Sequence, residues 1–155
     1  MDNQDLLRPT LSGYRRPPAL YGSTGMFLSG FFGGPAGIAV YASANAYRLG
    51  RLAKDLPVII GITASAFLVI LEMNESGWLI KLAAYLGGSL DRNFNVIVRA
   101  FGMACFGAIY LLHRLFFRAA RVTGVEPLSG WVPGIVAVLV GFGINIAFLS
   151  WIQHH

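Results

Sequence analysis

The stretch FFGGPAGIAVYASANAYRLGRLAKD, Phe31 to Asp55, opens as sequence for hydrocarbon and closes as sequence for water and phosphate. In its middle stands Gly33-Gly34-Pro35. A proline removes a backbone hydrogen bond and strains the preceding turn, which inside a bilayer survives only where neighbouring helices or water satisfy the freed carbonyl. The stretch therefore poses two questions: which solvent the chain is written for, and whether the Gly-Gly-Pro bends a crossing helix or turns it back.

The charge pattern answers the first. The chain has 155 residues, 55% of them hydrophobic and only 12% charged, against about 25% charged in soluble domains. Four stretches carry no Asp, Glu, Lys or Arg: between Arg16 and Arg48, Asp55 and Glu72, Arg99 and Arg114, and Glu126 and the C-terminus. Each supplies a helix of about 20 residues, enough to cross a hydrocarbon core of about 30 Å. The sequence thus predicts an all-α polytopic membrane protein with four transmembrane helices at about 24–47, 57–73, 94–117 and 131–152. A polar basic tail over 1–22 precedes them, with 23–155 forming one transmembrane domain.

The connections fit that reading. Pro9, Gly13, Pro17 and Pro18 keep the tail irregular, and Arg15 and Arg16 give it affinity for a lipid surface. The tail also lacks the basic head and early apolar core of a cleaved signal peptide, so the first apolar segment is expected to be retained. Residues 74–93 hold an apolar set too short and interrupted to cross, which reads as a helix lying flat at the interface. Trp131 and Trp151 bracket the last span as interfacial anchors. At an offset of 69 residues, Phe32, Gly33, Ala39 and Tyr41 fall on Phe101, Gly102, Ala108 and Tyr110. Such a match, if it reflects an internal repeat, predicts two parallel hairpins.

The net charge of +5 does not point to nucleic acid, because the Lys and Arg residues cluster at the ends of apolar segments and no polar run alternates cations with aromatics. Orientation depends on the Gly-Gly-Pro. With four crossings, Arg48, Arg51, Lys54, Arg114, Arg118 and Arg121 share one face, while Arg8, Arg15, Arg16, Lys81, Arg92 and Arg99 share the other. A re-entrant first segment moves the tail across, and the count becomes nine against three. A kinked crossing is the expectation, with both basic loops in the cytoplasm; re-entry is the alternative. Antiparallel pairing of two copies inserted both ways would also explain an even count.

Few side chains carry chemistry. Ionisable groups at membrane depth are functional candidates because burying a charge there costs about 2.5–3.5 kcal/mol on insertion scales. Glu72 and Arg99 lie near the same face and are a candidate intramembrane ion pair, or two snorkelling side chains that fix helix register; the functional reading is a gate or coupling site. His113, beside Arg114, reads as interfacial. Asn45 and Asn145 read as hydrogen-bonding glue between helices, and Gly30, Gly33, Gly34, Pro35 and Gly37 as a small-residue packing face. Gly130-x-x-x-Gly134 has the same spacing. The single cysteine, Cys105, permits no disulfide framework. No phosphate-binding loop, metal-ligand spacing or nucleophile elbow is present, so no cofactor, metal or catalytic residue is assigned, nor any role to His154 and His155.

Gly34-Pro35-Ala36-Gly37 followed by Asn45-Ala46-Tyr47-Arg48-Leu49-Gly50 resembles a group of small bacterial multi-pass inner membrane proteins. In that group a Gly-Pro-x-Ala-Gly run, here without the intervening residue, ends in Asn-x-x-Arg-x-Gly. The resemblance spans about eighteen residues and implies a bacterial inner membrane location, with no activity attached. Together these observations lead us to expect a non-enzymatic protein acting through helix and surface contacts. It would be a subunit or assembly factor of a membrane complex or a toxin-immunity protein, partnered by lipid and by another membrane protein or itself. The alternative is a small homo-oligomeric channel or transporter using Glu72 and Arg99.

Overall fold

A computed structural model of the chain describes residues 18–87 and 90–154; residues 1–17 of the tail, and His155, lie outside them. Five helices follow in order: α1 (Ser23–Arg48), α2 (Leu52–Glu75), α3 (Trp78–Leu86), α4 (Leu90–Val122) and α5 (Trp131–His154). No strand occurs among the described residues, only an isolated bridge between Tyr21 and Leu128. Four helices, all but α3, are long and apolar enough to cross a membrane. The chain is an all-α, multi-pass membrane protein.

The Gly-Gly-Pro does more than bend α1. Gly34 takes φ 62°, ψ −157°, a backbone region essentially closed to residues with a β-carbon, and the chain doubles back there. The residues that meet across the reversal pair in order. A β-carbon on Gly37 would stand 2.6 Å from the Ser29 carbonyl oxygen, and one on Gly25 would stand 2.5 Å from the Tyr41 hydroxyl. Further out, Tyr41 donates to the Gly22 carbonyl at 2.8 Å, and the Tyr21 N–H donates to Asn45 Oδ1 at 2.9 Å. In a straight helix, residues 21 and 45 would lie about 36 Å apart at a rise of about 1.5 Å per residue. The first segment is therefore a re-entrant hairpin of two half-helices, 23–33 and 35–48, and the kinked crossing is corrected. Pro35 opens the second half-helix, where a missing N–H costs nothing.

The remaining helices form a cup around the hairpin. α1 packs against α5, α4 and α2, and 67% of its most apolar stretch is buried, against 17% in α2 and in α5. One core cluster joins the hairpin to α2 and α4 through Met26, Ile38, Tyr41, Ile59, Cys105 and Ile109. A second closes the cup beyond the hairpin tip, with Ile70, Leu79, Phe94, Ile97 and Val98 packed against Phe148 and Leu149. Phe148 stacks edge-on with Phe67 at 4.9 Å, bringing α5 against α2 there.

The lengths of the other helices depart from the expected spans in one direction. α4 has 33 residues, about 50 Å at 1.5 Å per residue, and carries Arg114, Arg118 and Arg121 exposed in its C-terminal part. α3 leaves Trp78, Ile80 and Tyr85 exposed while Leu79 is buried, as an interfacial helix would. α1 reverses at a positive-φ glycine whereas α4 has no positive-φ residue inside it, so the matched letters at offset 69 do not correspond to matched shapes.

Re-entry also resolves the charge count. The chain enters the hairpin and leaves it on the same face, which carries Arg48, Arg51, Lys54, Arg114, Arg118 and Arg121. Lys81, Arg92 and Arg99 lie toward the opposite face. Among the described residues the distribution is six against three; Arg8, Arg15 and Arg16 lie outside them.

Candidate functional site

The hairpin is held at three levels. At its tip, Asn145 of α5 donates through Nδ2 to the Gly33 carbonyl at 3.2 Å. That carbonyl stands directly before the reversal at Gly34. Asn145 is 8% exposed, and its Oδ1 is buried without a hydrogen bond.

Along its flanks the hairpin has no room for side chains. A β-carbon on Gly102 of α4 would collide with the Gly30 carbonyl oxygen and stand 2.7 Å from the Gly34 Cα. On α5, a β-carbon on Gly141 would meet the Gly33 carbonyl oxygen and the Gly37 nitrogen, and one on Gly130 would meet the Tyr41 hydroxyl. Gly130, Gly134, Ala137 and Gly141 recur at three- and four-residue steps, which places them on one helical face. Gly30, Gly33, Gly34, Pro35 and Gly37 are all buried against this chain's own helices. They are thus internal packing positions and present no outward contact surface. Gly102 and Gly141 escaped the sequence reading because nothing distinguishes them from Gly61, Gly107 and Gly143, which face open space.

At its mouth the hairpin is clamped. Tyr41, Asn45 and Arg48 follow one another on a single face of the second half-helix at four- and three-residue steps. All three grip the backbone or side chains of residues 19–22. Besides the Tyr41 and Asn45 bonds, Arg48 donates through Nε to the Ala19 carbonyl at 3.1 Å and through a terminal nitrogen to the Tyr21 hydroxyl at 3.2 Å. Its guanidinium lies 4.9 Å from the Tyr21 ring centroid. Residues 20–22 are pinned from the other side by Leu128, whose N–H donates to the Leu20 carbonyl at 2.8 Å and whose carbonyl accepts from Gly22 at 3.2 Å. Asn45 thus ties the hairpin's own two strands together at its mouth. The Asn-x-x-Arg pair of the sequence is the closing end of the hairpin that Gly34 opens.

A buried polar group not anticipated from sequence lies beside that mouth. Asp55, in the first turn of α2, is 3% exposed and sits 3.4 Å from Nε2 of His113 on α4, itself 1% exposed. Arg51 reaches Asp55 at 3.3 Å and spreads over the Phe116 ring at 4.9 Å. A carboxylate removed from water needs such partners, and the arginine's charge balances it. Nδ1 of His113 is buried and makes no hydrogen bond. Asp55 read as a span boundary and His113 as interfacial, because 58 residues separate them and no periodicity links them.

The candidate pair of Glu72 and Arg99 is not formed. Both residues are exposed. Arg99 lies over the rings of Phe31 and Phe32, at 5.4 and 5.8 Å, and so covers the hairpin tip. Glu72 lines a shallow outer hollow with Leu68, Val69 and Trp78. Shared depth was legible in the sequence, but rotation about the helix axes was not.

A concavity of about 590 Å³ runs between residues 22–32 and the start of α5. Gly22, Gly25, Gly130 and Gly134 form its floor, and Leu28, Phe32, Trp131, Ile135, Val138 and Leu139 are among its walls. Among the described residues no group of three or more metal-ligating side chains occurs. Comparison with protein-family models, with curated proteins and with solved structures finds no match to this chain.

Proposed function

We propose that this membrane protein is non-enzymatic and works by receiving a helix of another membrane protein, as a subunit or assembly factor of a complex or as an immunity protein against a membrane-active toxin. The observation that carries this reading is the glycine-floored groove between residues 22–32 and α5. It opens toward lipid, it is lined almost wholly by apolar groups, and a small-residue floor lets a partner backbone approach closely. Its walls lie on elements already fixed by the clamp and by Asn145, so docking needs no rearrangement of the hairpin. The basic face, with Arg48, Arg51, Lys54, Arg114, Arg118 and Arg121 among the described residues, is assigned to the cytoplasm of a bacterial inner membrane.

Co-purification from native membrane without overexpression tests the proposal. A stoichiometric membrane protein is expected with the natural chain and should be lost with Leu139→Trp, which fills the groove from an exposed position. Retention of the partner by Leu139→Trp contradicts the proposal. The alternative, a channel using Glu72 and Arg99, predicts flux in proteoliposomes that Glu72→Gln abolishes. It draws no support from two exposed side chains that do not meet.

A further inference from the structure

A second groove runs along the seam between residues 20–27 and α4, and it borders the first at Gly22 and Thr24. Two hollows compose it, of about 430 and 380 Å³, and Ser23 and Tyr110 line both, so they are continuous. The lower hollow is walled by Phe27 and Phe106. The upper one is walled by Leu20, Phe117 and Ala120 and bears Arg121 at its rim. On α4 the residues Phe106, Tyr110, Arg114, Phe117 and Arg121 recur at three- and four-residue steps and share one face. The aromatics form a continuous stack, with Phe106–Tyr110 and Tyr110–Phe117 centroids at 5.9 and 5.8 Å. Phe27 closes it edge-on against Phe106 at 5.9 Å.

We propose that this seam is a binding site for one anionic phospholipid of the leaflet on the basic face. Dimensions and charge carry the proposal together. From Arg121 to Phe106 is about 22 Å along α4 at 1.5 Å per residue, which matches one leaflet of a bilayer about 40–45 Å thick with its head groups. The rim is cationic where a phosphate would stand, with Arg121 in the wall and exposed Arg118 one turn away. Glu126 also borders the upper hollow and would repel an anion, which places the phosphate at the Arg121 side and leaves Glu126 facing the glycerol and head-group hydroxyls. Below the rim the walls are apolar, with Phe117, Tyr110, Phe106 and Phe27 along the path an acyl chain would follow. The groove beside α5 has no cation in its lining, so the two concavities differ in the chemistry they select.

Native mass spectrometry of the full chain, released from micelles containing equal phosphatidylglycerol and phosphatidylcholine, tests this. The natural chain is expected to retain one phosphatidylglycerol in preference to phosphatidylcholine. Arg121→Gln should weaken that retention about fivefold, the share of one interfacial cation. Ala120→Trp should abolish it by filling the seam with every charge in place. Lys54→Gln, which removes an equally exposed cation of the same face outside the seam, should leave it unchanged. Should Ala120→Trp fail to fold, Arg121→Gln against Lys54→Gln still decides. Equal losses from Arg121→Gln and Lys54→Gln would overturn the proposal in favour of diffuse attraction. No preference between the two lipids, or a co-purified polypeptide in place of the lipid, would overturn it as well.

Discussion

α1 and α5 are similar in length, at 26 and 24 residues, and both are rich in glycine, yet α5 runs straight through the molecule and α1 turns round in its middle. The difference lies in which backbone groups have partners. α5 carries no residue of positive φ and keeps its hydrogen-bond ladder. It shows Val132, Ile135, Leu139 and Phe142 to lipid. α1 breaks its ladder at Gly34, and survives in hydrocarbon because Asn145 takes the Gly33 carbonyl and three side chains close the mouth. A break in a membrane helix is tolerable when it is buried in protein, and α1 is the most buried of the four long helices. Glycine in α5 makes room, whereas glycine at position 34 makes a conformation.

The contrast breaks most readily at Gly34. Replacing it by alanine adds strain in a region closed to β-carbons and drives that carbon to 2.6 Å from Val98 Cγ1. Gly34→Ala should destabilise the fold by about 4 kcal/mol, read as a collapse of the thermal transition in detergent. The next largest effect is expected at the buried acid. Asp55→Ala leaves His113 and Arg51 facing a void and should cost about 3 kcal/mol. The double change Asp55→Leu with His113→Leu should recover part of this, and no recovery would show that the pair acts through something other than mutual compensation. Asn145→Leu removes the tip bond and should cost about 1 kcal/mol, visible as a smaller drop in the same transition. In the opposite direction, Gly107→Ala and Gly143→Ala meet nothing within 4 Å and should raise stability by about 0.5–1 kcal/mol through helix propensity. If these two proved as damaging as Gly34→Ala, the distinction between glycines that make room and those that set conformation would fail. Glu72→Gln should leave the transition where it is, since its side chain is exposed and unpaired.

These contrasts also mark what sequence carries. Charge-free lengths define which segments face lipid, and they placed four long helices and the interfacial one with ends a few residues out. Gly33-Gly34-Pro35 was visible as a break, and the nine-against-three count was visible as its consequence under re-entry. What could not be read was the direction of the break. That depends on Tyr41, Asn45 and Arg48 meeting residues 19–22, a set of bonds spanning 19 to 29 positions. Such bonds leave a spacing in the sequence that has meaning only once the reversal is known. Asp55 and His113 escaped for the same reason, and Glu72 and Arg99 misled because depth alone does not specify a face. Gly102 and Gly141 carry no local signal separating them from their lipid-facing counterparts.

The hairpin is the claim on which the basic face, the clamp and both grooves depend, and sidedness tests it directly. In a background with Cys105→Ala, single cysteines at Pro18→Cys, Lys54→Cys and Ser76→Cys should be probed with a membrane-impermeant maleimide in sealed, oriented vesicles. Positions 18 and 54 are expected to label from the same side and position 76 from the other. Labelling of 18 and 54 from opposite sides would mean that α1 crosses, and would contradict the account.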